Sequence, residues 1–404
     1  MCWVFVCTFL QAEEFKLKIK KQLWRAYTYS FLAYCGITQL WVIYLSQLGL
    51  SLVQVGLCES IFHVASFLCE VPSGVLADRF TYKRMLTLSR ITALISAAMM
   101  LWQGGFWWFA ISFVVSAWAY NLQSGTLEAL VYESLKAEGQ EADYPHATSV
   151  MNAMIEVSAT GGLLLAGLLV HGHLAWSYIL AVALAALAMF VVSQLKEPAT
   201  HQPQTNHTTI KTIITTAWQV LQQDRGLFAL MGFDAIFSAL TTGFFYYFQQ
   251  VMQVRHFPSW LITTALAGAS ITAIIAIRLA PRLLKHAKQR VLIGLAVMLC
   301  ATFLLAALNT NTVLVGLYLL NYALSALLPP IFNVYYNDRI PSSQRATLLS
   351  VGSLLYSLAM IGLFPLLGWR IDHVGFAQTF SEAGITLSSL LIIGLALASL
   401  RRKD

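Results

Sequence analysis

Charge is what this chain has least of. Only 11% of its 404 residues are Asp, Glu, Lys or Arg, while 58% are hydrophobic; ordinary soluble domains carry about 25% charged residues. A water-soluble globule is thereby excluded, since too few charged residues remain to cover its surface. Cysteine is sparse too. Cys2, Cys7, Cys35, Cys58, Cys69 and Cys300 lie in apolar context or near the start, and no CxxC occurs, so neither a zinc site nor a disulfide framework is expected. His201 and His207 share a polar loop without further ligand types at metal-site spacing, and no metal or other cofactor is expected. The sequence also lacks HExxH, G-x-S-x-G and a P-loop, which removes zinc peptidase chemistry, the nucleophile elbow and recognisable ATP hydrolysis. No polar interval is long enough to fold as the soluble output domain of a sensor. The net charge of +7 is spread among loops, so no nucleic-acid partner is expected.

What the chain does have is apolar length. Stretches of roughly 20 residues recur throughout, each able to cross a bilayer core of about 30 Å as a helix. Backbone polar groups must be satisfied internally in lipid, so helices are the expected elements. The spans fall at roughly 23–49, 53–76, 85–103, 106–124, 147–170, 174–195, 226–250, 258–284, 289–308, 312–336, 344–368 and 377–400. Twelve spans put both termini on one side. All Lys and Arg except Arg255 and Arg370 then lie at or near that side, which the positive-inside rule makes cytoplasmic.

The organisation expected is an N-terminal cytoplasmic segment (1–22), a six-helix bundle (23–195), a cytoplasmic linker (196–225), a second six-helix bundle (226–400) and a short tail (401–404). In the linker, Ile210, Ile213, Ile214, Ala217, Trp218 and Leu221 recur at helical spacing, as in an interfacial helix. Residues 1–11 are apolar but too short to span and lack the layout of a signal peptide; a mis-assigned start upstream is the expectation. The halves echo each other. Leu76-Ala77-Asp78-Arg79 recurs as Leu279-Ala280-Pro281-Arg282, and Ala147-Thr148 recurs as Ala346-Thr347. Glu133 likewise has a counterpart in Asp338. Ordered matches in equivalent loops argue for duplicated halves.

The hinge from Gly74 to Arg84 carries Gly74, Asp78, Arg79, Lys83 and Arg84 between two apolar runs. It resembles the signature loop between helices 2 and 3 of the major facilitator superfamily, with Thr81 and Tyr82 where Gly and Arg are usual. Glu70-Val71-Pro72-Ser73, Ser124-Gly125-Thr126-Leu127-Glu128-Ala129, Glu197-Pro198 and Arg345-Ala346-Thr347 look like its bacterial drug-efflux or general permease branch. Gly161, Gly162 and Gly167 lack the proline of the antiporter pattern in helix 5. The resemblance implies an all-α membrane fold of two pseudo-symmetric six-helix bundles and a monomer in the cell membrane. It also implies secondary transport of a small molecule by alternating access. In such a loop Gly74 admits a neighbouring helix and Asp78 caps a helix start, holding a gate.

An ionisable residue inside a bilayer costs about 3 kcal/mol and is a functional hypothesis by default. Glu59, Glu156 and Asp234 are such acids. Glu59, His63, Ser66, Glu70 and Ser73 form one stripe along helix 2 at 100° per residue. Glu59, His63, Glu156 and Asp234 are therefore the candidates for proton coupling. The resemblance places helices 1, 4, 7 and 10 around the cavity, which nominates Tyr34, Trp41, Trp118, Asn121, Phe237, Thr241, Phe244, Tyr322 and Ser325 as lining. Aromatic walls with one acid suit amphipathic, often cationic, compounds. Arg90 and Arg278 are near enough to the cytoplasmic edge to snorkel. With no other buried cation in view, proton-coupled export is expected ahead of proton-coupled import of a small metabolite.

Overall fold

The structure, a computed structural model, describes residues 19–198, 225–284, 288–339 and 345–400. Residues 1–18, the expected interfacial helix, His201, His207 and the tail lie outside the described residues. Fourteen α-helices and no strand are present among the described residues. In chain order they are α1 (19–33), α2 (Trp41–Gln47), α3 (Leu52–Arg79), α4 (Tyr82–Met100), α5 (Gly105–Gln123), α6 (Thr126–Ala137), α7 (Tyr144–Leu168) and α8 (Ala175–Gln194). The second half holds α9 (Arg225–Val254), α10 (Ser259–Leu283), α11 (Lys288–Leu305), α12 (Asn311–Arg339), α13 (Arg345–Val374) and α14 (Phe376–Leu400).

Every expected span is largely helical. Nine described helices are long and apolar enough to cross a membrane. The rest fall short for local reasons: α4 carries Lys83, Arg84 and Arg90, α5 is rich in Trp, Tyr and amides, and the first span is broken. That break differs from expectation. After Ala33 the chain leaves the helix, makes a 3-10 turn at Gly36–Thr38 and resumes at Trp41. The turn presses its backbone onto α7, where a Cβ on Gly36 would lie 2.1 Å from the Ala159 carbonyl oxygen. The helix α6 is also additional. Gly125 at φ 72° ends the α5 segment in a left-handed conformation that costs glycine little. Glu128 in the first turn and Lys136 in the last suit the dipole of α6. Its buried Leu127, Leu130, Val131 and Leu135 face the core at helical spacing.

The described residues divide into two compact units. One lies within Met1–Gln39 and Val64–Thr209, the other within Leu40–His63 and Ile210–Asp404. The boundary therefore does not follow the linker alone, since α2 and the first half of α3 pack with the second half of the chain. A capping box starts α3, with Gln54 N–H donating to Ser51 Oγ and Ser51 N–H donating to Gln54 Oε1.

In the first unit, Tyr29, Leu86, Leu130, Met151, Ala188 and Val192 share one buried core. The end of α8 is tied down by side chains from other helices. Gln22 exchanges two hydrogen bonds with the Lys196 backbone, at 2.7 and 3.1 Å, and Arg25 donates to the Gln194 carbonyl at 2.7 Å. In the second unit, Phe244, Phe248, Phe303, Phe376 and Phe380 form a ring-packed core with centroids 4.7–6.2 Å apart. Against α13 the segment Leu40–His63 is seated through two glycines. A Cβ on Gly56 would meet Pro365 Cα at 2.5 Å, and one on Gly368 would meet the Leu52 carbonyl oxygen at 2.3 Å. Tyr247 donates to the Phe364 carbonyl at 2.8 Å beside the same contact.

Candidate functional site

The signature loop lies at the junction of α3 and α4. Thr81, one of its two departures from the family pattern, is the N-cap of α4 and accepts from the Arg84 amide. The next two amides, Tyr82 and Lys83, donate at 2.8 and 3.0 Å to the two carboxylate oxygens of Glu197. A carboxylate at a helix N-terminus is favoured by the dipole and by the unsatisfied amides. Lys83 reaches the Ser193 and Leu195 carbonyls at the end of α8. Arg79 and Arg84 are exposed, Gly74 is exposed with no described atom within 4 Å of a would-be Cβ, and the Asp78 side chain lies outside the described residues.

In the second unit, α9 and α12 bring an acid and a phenol together. Tyr336 donates to Asp234 Oδ2 at 2.8 Å and Ser238, one turn on, donates to Oδ1 at 3.2 Å. Phe237 stacks obliquely on Phe233 at 4.1 Å, and Phe233 approaches Phe332 at 6.1 Å. Among the described residues no Lys, Arg or His pairs with Asp234. The carboxylate is thus held by two neutral donors.

A second titratable pair sits on α3. His63 Nε2 lies 3.5 Å from Glu59 Oε1, both largely buried, and His63 Nδ1 lies 3.3 Å from Ser357 Oγ on α13. The Tyr356 ring meets the imidazole edge at 5.8 Å. The helix-2 stripe divides between the two units. Glu59 and His63 belong to the second unit, whereas Ser66 belongs to the first, where Asn121 and Ser66 exchange hydrogen bonds at 2.8 and 2.6 Å. Glu156 is exposed on α7 and joins neither cluster.

The nominated lining residues separate by burial. Tyr322 stacks on Phe245 at 4.8 Å and is half-buried, as are Ser325, Trp118 and Tyr34. Trp41 stacks on Phe364 at 5.9 Å and meets Tyr246 at 5.5 Å. Thr241 is buried, and its carbonyl accepts from Asn321 at 3.1 Å. Phe244 corrects the expectation. It has no exposed surface and is the hub of the phenylalanine core, so it fills the interior instead of lining a cavity.

Residues 26–365 match the family model described as Major Facilitator Superfamily. The chain belongs to that superfamily. Among curated proteins it is similar to the uncharacterized MFS-type transporter YxaM of Bacillus subtilis (strain 168), 22% identical over 93% of this chain and 96% of YxaM. Among solved structures it resembles the nucleoside transporter NupG at a TM-score of 0.71 and 14% identity, covering 93% of this chain and 98% of NupG. It also resembles a bacterial homolog of the human lysosomal transporter Spinster at 0.64 and 17%, covering 95% of this chain and 96% of that one. At such identity these structures speak for the fold. An all-α, multi-pass membrane transporter of this superfamily embeds in lipid and moves a small molecule.

One residue of this superfamily member departs from its sequence reading. Arg90 does not snorkel: it is 7% exposed and turned inward, about 12 Å along α4 from its start. Its Nη1 donates to the Ala33 carbonyl at 3.3 Å, and its Nη2 donates to Ser89 Oγ at 3.0 Å and to Gln123 Oε1. Tyr29 donates to the same Gln123 oxygen at 3.0 Å, and its ring lies 5.6 Å below the guanidinium. Three positions gave no periodic signal that could have joined them. Only the ordering of α1, α4 and α5 does so.

Proposed function

We propose that this chain is a proton-coupled secondary transporter of small amphipathic organic compounds, working by alternating access with Asp234 as the proton-carrying acid. The observation that carries this is the Asp234 carboxylate held by Tyr336 and Ser238 with no basic partner among the described residues. A half-buried acid with no basic partner among the described residues is poised to exchange its proton as its surroundings change. Glu59 and His63 form a second place where a proton can be shared. The transporter works as a monomer in the cell membrane with both termini cytoplasmic, and Asp78 acts at its gate. Export is the first reading.

Uptake by proton symport is the second reading, and Arg90 favours it. A buried cation suits an anionic metabolite, and the preference for export rested on finding none. Flux of a fluorescent lipophilic cation in everted vesicles under an imposed proton gradient tests the first reading, with wild type beside Asp234→Asn and Asp78→Asn. Proton-dependent accumulation in the wild type, lost in Asp234→Asn, supports export with Asp234 as the coupling acid. A well-expressed wild type that accumulates nothing sinks the broad export of lipophilic cations. Proton-driven uptake of small metabolites into proteoliposomes then decides the second.

A further inference from the structure

We infer that Arg90 anchors a carboxylate of the transported compound, inside the first unit. This rests on the transporter reading above, in either direction. A guanidinium presents two hydrogen bonds side by side along its Nε–Nη2 edge, the edge that matches a carboxylate. In Arg90 that edge is half used. Nη2 donates to the Ser89 hydroxyl and to the neutral oxygen of Gln123, while Nε is wholly buried and has no partner among the described residues. No carboxylate among the described residues pairs with Arg90. Glu128, half-buried in the first turn of α6, makes no ion pair with the guanidinium. A second polar atom in the same neighbourhood is also unsatisfied. Ser30 Oγ, one residue from Tyr29 on α1, is fully buried without a partner.

A buried charge without an opposite charge beside it is costly, and so is a buried polar atom without a partner. Nothing in the packing of the first unit requires either. Two helix interruptions converge on this guanidinium. The carbonyl it holds, Ala33, ends α1, and Gln123 is the last residue of α5 before the left-handed Gly125. Interrupted helices leave backbone groups unpaired and let the chain open locally, which is how transporters build sites for charged groups at membrane depth. An incoming carboxylate displaces the Gln123 oxygen, takes both Nε–H and Nη2–H, and leaves Tyr29 and Ser30 hydroxyls to complete its oxygens. Half-buried Tyr34 follows directly on Ala33 where α1 ends.

The test is ligand-induced stabilisation of the purified full chain in detergent, at matched ionic strength and without any proton gradient. The probes are phenylacetate, phenyl phosphate and the neutral isostere phenylacetamide. Phenylacetate is expected to raise the unfolding temperature of the wild type in a saturable way, and phenylacetamide is not. Arg90→Gln is expected to abolish the shift and Arg90→Lys to weaken binding by about tenfold, since an ammonium lacks the fork. Should Arg90→Gln fail to fold, Gln123→Leu decides. It removes the competing acceptor, so it lowers the stability of the ligand-free protein yet tightens phenylacetate binding. Equal shifts for acid and amide, or no shift for either anion, overturn the assignment. So does an undiminished shift in Arg90→Gln, or unchanged or weakened binding in Gln123→Leu. A shift with phenyl phosphate alone overturns the carboxylate class. None of these outcomes touches Asp234, whose flux assay succeeds or fails independently.

Discussion

At the scale of single residues, two side chains stand out because no opposite charge meets them among the described residues. Asp234 is met by a phenol and a hydroxyl, and Arg90 by an amide, a hydroxyl and a carbonyl. Tyr336→Phe removes the shorter of the two donors to Asp234. A hydrogen bond to a charged group is worth about 1.5–3 kcal/mol, so proton-driven flux in vesicles should fall by about tenfold while the protein still folds. Undiminished flux would separate Tyr336 from the coupling step. Asp234 was legible in the sequence, because an acid in an apolar run stands out by its cost. Tyr336 and Ser238 were not. Ser238 is one turn away and unremarkable in composition, and Tyr336 reaches Asp234 from 102 residues on. Arg90 was seen and misjudged, since distance from a helix end says how far a side chain could reach water and nothing of which way it turns.

At the scale of elements, local rules account for most boundaries and fail where backbone meets backbone. The capping box at Ser51 and the N-cap at Thr81 start α3 and α4 as their residue types suggest. Thr81→Ala should cost about 1 kcal/mol, read as a lowered unfolding temperature of the purified protein. That result would show the loop's departure from the family pattern to be a capping choice; an unchanged temperature would not. The break after Ala33 was not legible, because the apolar span expected over 23–49 runs straight through it. What ends the helix there is contact of Gly36 with the Ala159 backbone, a tertiary event. The seating of Gly56 and Gly368 is similar. Overpacking a tight contact costs about 1–3 kcal/mol, so Gly368→Val should lower stability by that amount, and Gly362→Val, where a Cβ meets nothing within 4 Å, should cost less. Equal losses would mean that the close approach at Leu52 contributes nothing special.

At the scale of the whole molecule, the fold was readable from composition, span count and the repeated loop, because lipid permits so few architectures. The charge asymmetry makes one further prediction. Cysteines replacing Arg255 and Arg370 in a background without native cysteines should react with a membrane-impermeant maleimide on intact cells, whereas one at Arg84 should react only after permeabilisation. Labelling of Arg84→Cys on intact cells would invert the topology. The division into units was not readable, since hydropathy sees spans and not their neighbours. It has a consequence for how the halves find each other. Leu40–His63 is encoded with the first half but completes the packing of the second, an arrangement akin to a domain swap. A C-terminal fragment made alone would display the vacated face around Pro365, Gly368 and Tyr247 as an adhesive seam. Co-expressed fragments cut within the linker should therefore associate through Leu40–His63, and deleting that segment should weaken their association.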